Sequence, residues 1–311
     1  MNPAVVYVGV DVSKDGLDVH LPGARPREYP NTAAGHRRLI GWLKRRSYRV
    51  QVVCEPSGGY QRGVVTALQG AGIAVCEVNA AKVRFFAQAE GQLAKTDPID
   101  AQLLCRYGER MQPEPTEPLN ATRRALQEMV RRRNQLRDSC TAEKNRIASW
   151  QDAGVRRSLR RMITLLQKEI RRIETQIEQI VASDPILEDL ICRLSRVQGI
   201  GRRTATALVA TMPELGKLTR NEAAALAGLA PYNHDSGRHQ GSRRIRGGRP
   251  EVRCAIYMPA LVASRYNPVL RPMYLRLLAA GKPTKLALTA LMRKLIALCN
   301  RIAADPSFCP A

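Results

Sequence analysis

Aromatic residues are sparse in this 311-residue chain: three Phe, two Trp and nine Tyr, 5% of the total. So thin a supply disfavours base stacking as the main way of binding a partner. The four histidines and eight cysteines include no C-x-x-C and no paired spacing, so they form no zinc-site pattern and read as free thiols of a reducing cytoplasm. No apolar stretch approaches 18 residues, and the run Val5–Val10 is cut off by Asp11, too early for a signal segment. A cytoplasmic chain with no membrane partner is expected. Acidic residues are the last shortage: 27 against 50 Lys and Arg, a net charge of +23 and a pI near 10.4. The deficit is local. Residues 1–110 hold 15 basic and 10 acidic side chains and residues 111–190 hold 15 and 12, whereas residues 191–311 hold 20 and 5. So large an excess calls for a polyanion, and nucleic acid is the first candidate. With 44% hydrophobic residues the chain also has ample material for a core, which excludes wholesale disorder.

The first hundred residues alternate strand-like and helix-like runs. Val5–Val10 and Leu17–Leu21 flank a Lys14-Asp15-Gly16 turn and read as a hairpin. A helix over 32–46, a strand over 50–54, a helix over 60–69, a strand over 73–78 and a helix capped by Asn79 follow. This order predicts a mixed sheet flanked by helices. Pro113, Pro115 and Pro118 mark a boundary, so that residues 1–112 form the first domain. In the segment 113–188, Leu126, Met129, Leu136, Cys140 and Ile147 keep a 3-4 spacing. Leu159, Ile163, Leu166, Ile170, Ile173, Ile177 and Ile180 make an unbroken a/d seam. Two long helices meeting near Asp152-Ala153-Gly154 predict an antiparallel hairpin or half of an intermolecular coiled coil, the plain alternative being two helices packed on their own domain. Residues 189–311 read as six short helices interrupted by a loop, Gly237 to Arg249, with five arginines and four glycines. The fold class expected is α/β plus α.

Four carboxylates stand where predicted elements end or begin. Asp11 follows the first strand, Glu55 precedes the Pro56-Ser57-Gly58-Gly59 turn, and Asp97 and Asp100 share one face at the start of a helix. The rim of an α/β sheet is where functional groups converge. Ionised carboxylates crowded together are tolerable only around a cation, and all-oxygen ligation suits Mg²⁺ or Mn²⁺. The plain alternatives are that Asp97 is a helix cap and Glu55 a turn residue.

Three stretches, Val8-Gly9-Val10-Asp11-Val12-Ser13-Lys14, Glu55-Pro56-Ser57-Gly58-Gly59-Tyr60 and Lys95-Thr96-Asp97-Pro98-Ile99-Asp100-Ala101, resemble the acidic motifs of the DEDD insertion-sequence transposases, the "insertion sequence 110" family. That family includes Piv-type DNA invertases and bridge-RNA-guided recombinases. Its C-terminal signature is matched by Val197-Gln198-Gly199-Ile200-Gly201, Ala227-Gly228-Leu229-Ala230-Pro231 and Asp235-Ser236-Gly237. The resemblance implies an N-terminal RNase H-like (RuvC-like) domain, a central coiled coil for dimerisation and a C-terminal helical transposase domain. It also implies that Asp11, Glu55, Asp97 and Asp100 bind Mg²⁺ (or Mn²⁺) and that Ser236 attacks the DNA phosphate. Target and donor DNA, a structured bridge RNA and a homo-oligomer, dimer to tetramer, would be the partners, at the nucleoid.

Ser-Gly is also an ordinary turn dipeptide, and no neighbouring base singles Ser236 out. Gly199, Gly201, Arg202 and Arg203 resemble a helix-hairpin-helix turn that holds a phosphate at a helix N-terminus, or else a tight inter-helix turn. Arg238, Arg243, Arg244, Arg246 and Arg249 are candidate phosphate contacts, the alternative being a solvated basic loop. With few aromatics, sequence reading is better delegated to a guide RNA. Three other functions compete with the recombinase: a resolvase-like nuclease that uses water, a site-specific DNA invertase, and a non-catalytic nucleic-acid-binding protein.

Overall fold

The alternating apolar residues of the N-terminal third assemble one mixed sheet of five strands. The computed structural model describes residues 5–92, 97–233, 241 and 243–308. β1 (Val5–Val12) is the central strand. It pairs antiparallel with β2 (Gly16–His20), which pairs antiparallel with β3 (Arg27–Pro30). On its other side β1 runs parallel to β4 (Arg49–Cys54), and β4 parallel to β5 (Ala74–Glu77). The sheet order is therefore β3-β2-β1-β4-β5. β3 is absent from the sequence expectation because only one of its four residues, Tyr29, is buried.

The two-residue period of a strand sorts side chains between the faces. Val8, Val10, Val12, Val52 and Cys54 pack with Leu39, Trp42 and Leu43 of α1 (Ala33–Lys44) and Val64, Val65 and Leu68 of α2 (Gln61–Gly70). Val53, Cys76 and Tyr7 turn the other way, to Val83 and Ala87 of α3 (Ala80–Ala89) and Leu103, Leu104 and Tyr107 of α4 (Asp97–Met111). Asn79 caps α3, accepting from Ala81 N at 2.8 Å, as the sequence predicts.

α4 lies unusually close to β1. A Cβ on Gly9 would overlap the carbonyl oxygen of Ala101 and stand 2.6 Å from Cys105 N, and one on Gly108 would lie 2.7 Å from Tyr7 Cδ1. Cys105 Sγ donates to Tyr7 O at 3.2 Å. The obstacle at Gly9 is backbone, which cannot swing aside. Gly9→Ala is therefore expected to cost about 1–3 kcal/mol through overpacking, read as a lower thermal midpoint by near-UV circular dichroism.

The domain boundary moves from the expected 112 to 119. Contacts divide the chain into Met1–Leu119 and Asn120–Ala311. The proline-rich stretch belongs to the first unit because it runs beside β5: Thr116 N donates to Val75 O at 2.8 Å, and Glu77 N donates to Thr116 Oγ1 at 3.0 Å.

The second unit is helical. α5 (Ala121–Ile147) and α6 (Ala153–Ala182) form a hairpin, capped by Asn120 and Asp152. α7 (Pro185–Ser195) follows the Asp184 cap, then α8 (Arg202–Thr211) and α9 (Arg220–Leu226). A two-stranded ribbon of β6 (Pro231–Tyr232) and β7 (Arg244–Ile245) leads to α10 (Pro250–Tyr266), α11 (Leu270–Ala279) and α12 (Thr284–Ala304). Residues 113–188 are not a separate coiled-coil domain. Ile173, Ile177 and Val181 of α6 share one core with Leu126, Val130 and Leu136 of α5 and with Leu187, Leu208, Ile256 and Leu295. Within the chain the two helices form a hairpin that packs on its own unit, as the plain alternative has it. Among the described residues no helix is long and apolar enough to cross a membrane.

Candidate functional site

Sheet register places the acidic residues. Val10 pairs with Cys54 across the parallel β1–β4 junction, so Asp11 and Glu55 stand one step further on adjacent strands, at the sheet's carboxyl edge. Neighbouring strands are about 4.8 Å apart. Asp11 pairs with Asp18 on β2, and Asp18 with Glu28 on β3. Asp11 belongs to the Tyr7–Gly9 face of β1, and its cross-strand partners share that face. Glu28, Asp18 and Asp11 thus form one rank of carboxylates across three strands, and Glu55 follows directly on the end of β4.

α4 supplies the remainder. It crosses this face antiparallel to β1, with Gly108 against Tyr7 and Ala101 to Cys105 against Gly9. The next position on the strand is Asp11, and the next turn of the helix is its first, with Asp97 and Asp100. The packing that makes Gly9 irreplaceable also sets the first turn of α4 at the acidic edge. The side chain of Asp97 lies outside the described residues. Among the described residues no three His, Cys, Asp or Glu side chains converge closely enough to hold a metal ion. The four candidate ligands share an edge, and their oxygen-only chemistry fits a hard divalent cation.

Asp18 and Glu28 are not among the residues that the sequence singles out, although the Lys14-Asp15-Gly16 turn sets Asp11 opposite Asp18. They line an open cleft of about 210 Å³ together with His20, Arg27 and Ala101. Burial pulls His20 below the usual histidine range, against the attraction of Glu109.

The second unit carries its own candidate residues, in the segment after β6. Ser236 and Arg238 lie outside the described residues, and the strands on either side of the segment pair with each other. Pro231 pairs with Ile245 and Tyr232 with Arg244. Gly228 (φ +66°) and Gly248 (φ +67°) cross in backbone contact, where any side chain would collide. Below the crossing, Arg249 N donates to Leu226 O at 2.7 Å and Arg253 Nη1 to Gly247 O at 3.0 Å.

The arginines predicted as phosphate contacts divide into two groups. Arg249 donates from Nη1 and Nη2 to Glu214 at 2.8 and 2.6 Å, and from Nη1 to Thr211 O at 3.0 Å. Burial alone would raise the Glu214 carboxyl, and the Arg249 hydrogen bonds outweigh it, leaving Glu214 below the usual range. Arg202 grips Glu188 with both terminal nitrogens at 2.7 Å and Glu178 with Nε at 2.8 Å, and Arg203 meets Glu174 at 2.9 Å. Gly199 (φ +107°) packs on Pro259 and Ala263 of α10, whereas Gly201 faces open space. These residues tie α8 to α6, α7 and α10, as a tight inter-helix turn would. Arg243, Arg244 and Arg246 are exposed. Replacing these three together with Ala is expected to lower the log–log salt slope of DNA binding by up to about three. A slope equal to that of wild type, measured by fluorescence anisotropy from 50 to 300 mM salt, would remove them from the interface.

Two family models match the chain. The DEDD transposase model of the IS110 family matches residues 8–152, and the transposase IS116/IS110/IS902 family model matches residues 192–275. Over 310 residues, 94% of each chain, the sequence is 26% identical to the pilin gene-inverting protein of Moraxella bovis, and equally to that of Moraxella lacunata. It is also 29% identical over 153 residues, 49% of this chain and 37% of the other, to an uncharacterised insertion-element IS110 protein of Streptomyces coelicolor.

Proposed function

Because this chain belongs to the IS116/IS110/IS902 family of transposases, we propose that it is a metal-dependent DNA recombinase. It cuts and rejoins strands through a serine phosphoester. The observation that carries the metal reading is the edge shared by Asp11, Glu55 and the first turn of α4. Asp11, Glu55, Asp97 and Asp100 would hold Mg²⁺ or Mn²⁺, which supplies charge neutralisation at the scissile phosphate and its entering and leaving oxygens. Ser236 supplies the nucleophile: its Oγ bonds to phosphorus, the P–O3′ bond breaks, and the 3′ oxygen leaves with a proton. The 5′-phosphoserine conserves the energy of the broken bond, so a second 3′-hydroxyl can reverse the step on a new partner without ATP. Arg243, Arg244 and Arg246 hold the backbone of the DNA or of a bridge RNA that pairs with target and donor.

A homo-oligomer, dimer to tetramer, would bring two DNA partners together. Its contacts would not be Ile173 and Ile177, which are buried within the chain. Inversion in place of transposition is a second reading, favoured by the end-to-end similarity to two pilin gene-inverting proteins. Both readings use the same chemistry.

The test is incubation with supercoiled DNA carrying candidate ends, its transcribed non-coding flank, and either Mg²⁺ or EDTA. Protein–DNA complexes that survive SDS, formed only with Mg²⁺, are expected. Mg²⁺-dependent cutting with no adduct would replace the serine with water as nucleophile.

A further inference from the structure

The loops that follow Asp11 and Glu55 are joined by one side chain. Asn31 stands at the corner between β3 and α1. Its Nδ2 donates to Ser13 O at 2.9 Å and to Tyr60 O at 3.2 Å. Ser13 is two residues beyond Asp11, and Tyr60 closes the turn that begins at Glu55, donating from its N–H to Ser57 O at 3.0 Å. Gln61 Oε1 accepts from Ser57 N and Gly59 N, both at 3.1 Å, so that turn is ordered from inside as well. The Asn31 amide therefore bridges the two acidic loops, which lie far apart in sequence.

Asn31 is itself fixed from several directions. Its N–H donates to Asp15 O at 2.9 Å. The α1 helix behind it packs tightly, since a Cβ on Gly35 would overlap the Pro30 carbonyl. His36 Nε2 is 2.8 Å from Asn31 Oδ1, and the residue is only 8% exposed. With the Asn31 amide nitrogen already donating twice, its oxygen accepts, so Nε2 carries the hydrogen. A Cβ on Gly63 would come within 3.1 Å of His36 Cε1, so α2 leaves room for this ring. The apolar contacts between α1, α2 and the sheet are made by other residues, among them Leu39, Trp42, Val64 and Leu68.

We infer that Asn31, oriented by His36, is a positioning residue that sets the separation of Asp11 and Glu55 for a divalent cation. The inference rests on the metal site proposed above. Partners that hydrogen-bond a ligand directly typically change metal affinity by 10–100-fold when removed, and Asn31, which acts through the two loops, is expected at the lower end of that range.

The experiment titrates free Mn²⁺ by electron paramagnetic resonance against the full chain without nucleic acid, comparing wild type, Asp11→Asn, Asn31→Ala, His36→Leu and His36→Gln. Far-ultraviolet circular dichroism establishes that each variant is folded. Asn31→Ala and His36→Leu are expected to bind Mn²⁺ about tenfold or more weakly than wild type. His36→Gln, whose amide can place a donor where Nε2 stands, should stay within about threefold of wild type. Should Asn31→Ala fail to fold, the contrast between the two His36 variants decides the matter. Wild-type affinity in Asn31→Ala, or in His36→Leu, with loss in Asp11→Asn overturns the positioning role and leaves the metal site standing. Equal loss in both His36 variants likewise overturns the His36–Asn31 link. Absence of a wild-type site that Asp11→Asn removes overturns the metal reading, and this inference with it.

Discussion

Ser236→Ala should abolish both strand cleavage and the covalent protein–DNA complex while leaving fold and nucleic-acid binding intact. A serine hydroxyl is a weak nucleophile at neutral pH and depends on activation at the site. Removing its oxygen deletes the atom that forms the bond to phosphorus, so no partial activity should survive through that route. A thiol at the same position attacks with a different geometry and metal preference, so Ser236→Cys should retain at most weak activity. A suicide substrate carrying a nick beside the cleavage site traps the adduct, and mass spectrometry of the DNA-linked peptide locates it. Cutting by Ser236→Ala at the wild-type rate would assign attack to water. An adduct mapped to Tyr232 or Ser242 would keep the reaction class and move the nucleophile. Either residue is close in sequence: Tyr232 forms the ribbon that opens the loop, and Ser242 falls within it.

Asp11→Asn and Glu55→Gln should each remove cleavage in Mg²⁺ with little change in nucleic-acid affinity. The substitutions keep the shape of the side chains and delete a charge that repels the DNA backbone, so binding should hold or tighten slightly. Loss of one carboxylate from a hard-cation site removes both a ligand and part of the charge that retains the ion. The expected drop is several orders of magnitude in the single-turnover rate, because phosphodiester cleavage depends heavily on neutralising charge at the reacting oxygens. Wild-type rates in either variant would dismiss the acidic edge as the metal site. The two pairs of variants separate the two halves of the mechanism. Serine variants should still bind Mn²⁺, and carboxylate variants should not.

Much of this arrangement is legible from the sequence, and the illegible parts share a physical cause. Asp11 announces itself as a charge interrupting an apolar run, although the strand continues through it to Val12, and the heptad seam of α6 is plain from its spacing. Periodicity gives a face and not its partner, however. The seam is satisfied by α5 and the C-terminal helices of the same chain, a choice that depends on tertiary packing. Asp18 and Glu28 join the acidic rank only through strand register, and β3 carries a single buried residue to betray it. The Arg202 and Arg249 guanidinium groups look like phosphate ligands in a basic segment, yet each meets carboxylates of its own chain. Glu178 and Glu188 lie 24 and 14 residues from Arg202, and Glu214 lies 35 residues from Arg249. Long-range pairs of this kind leave no local signature. The Asn31 bridge is hidden for the same reason.

The glycine crossing beneath the β6–β7 ribbon has a consequence for how such a protein can change. Gly228 and Gly248 hold the two ends of the intervening segment together whatever its composition. For a loop whose ends are already joined, doubling its length costs only about 0.6 kcal/mol of closure entropy. Insertions between residues 233 and 243 therefore make little demand on the helical core. The α4–β1 contact offers no comparable latitude, since one added methyl at Gly9 meets backbone. The chain around the proposed nucleophile can thus change length without disturbing its support, while the acidic edge is held to a single geometry by the absence of a side chain.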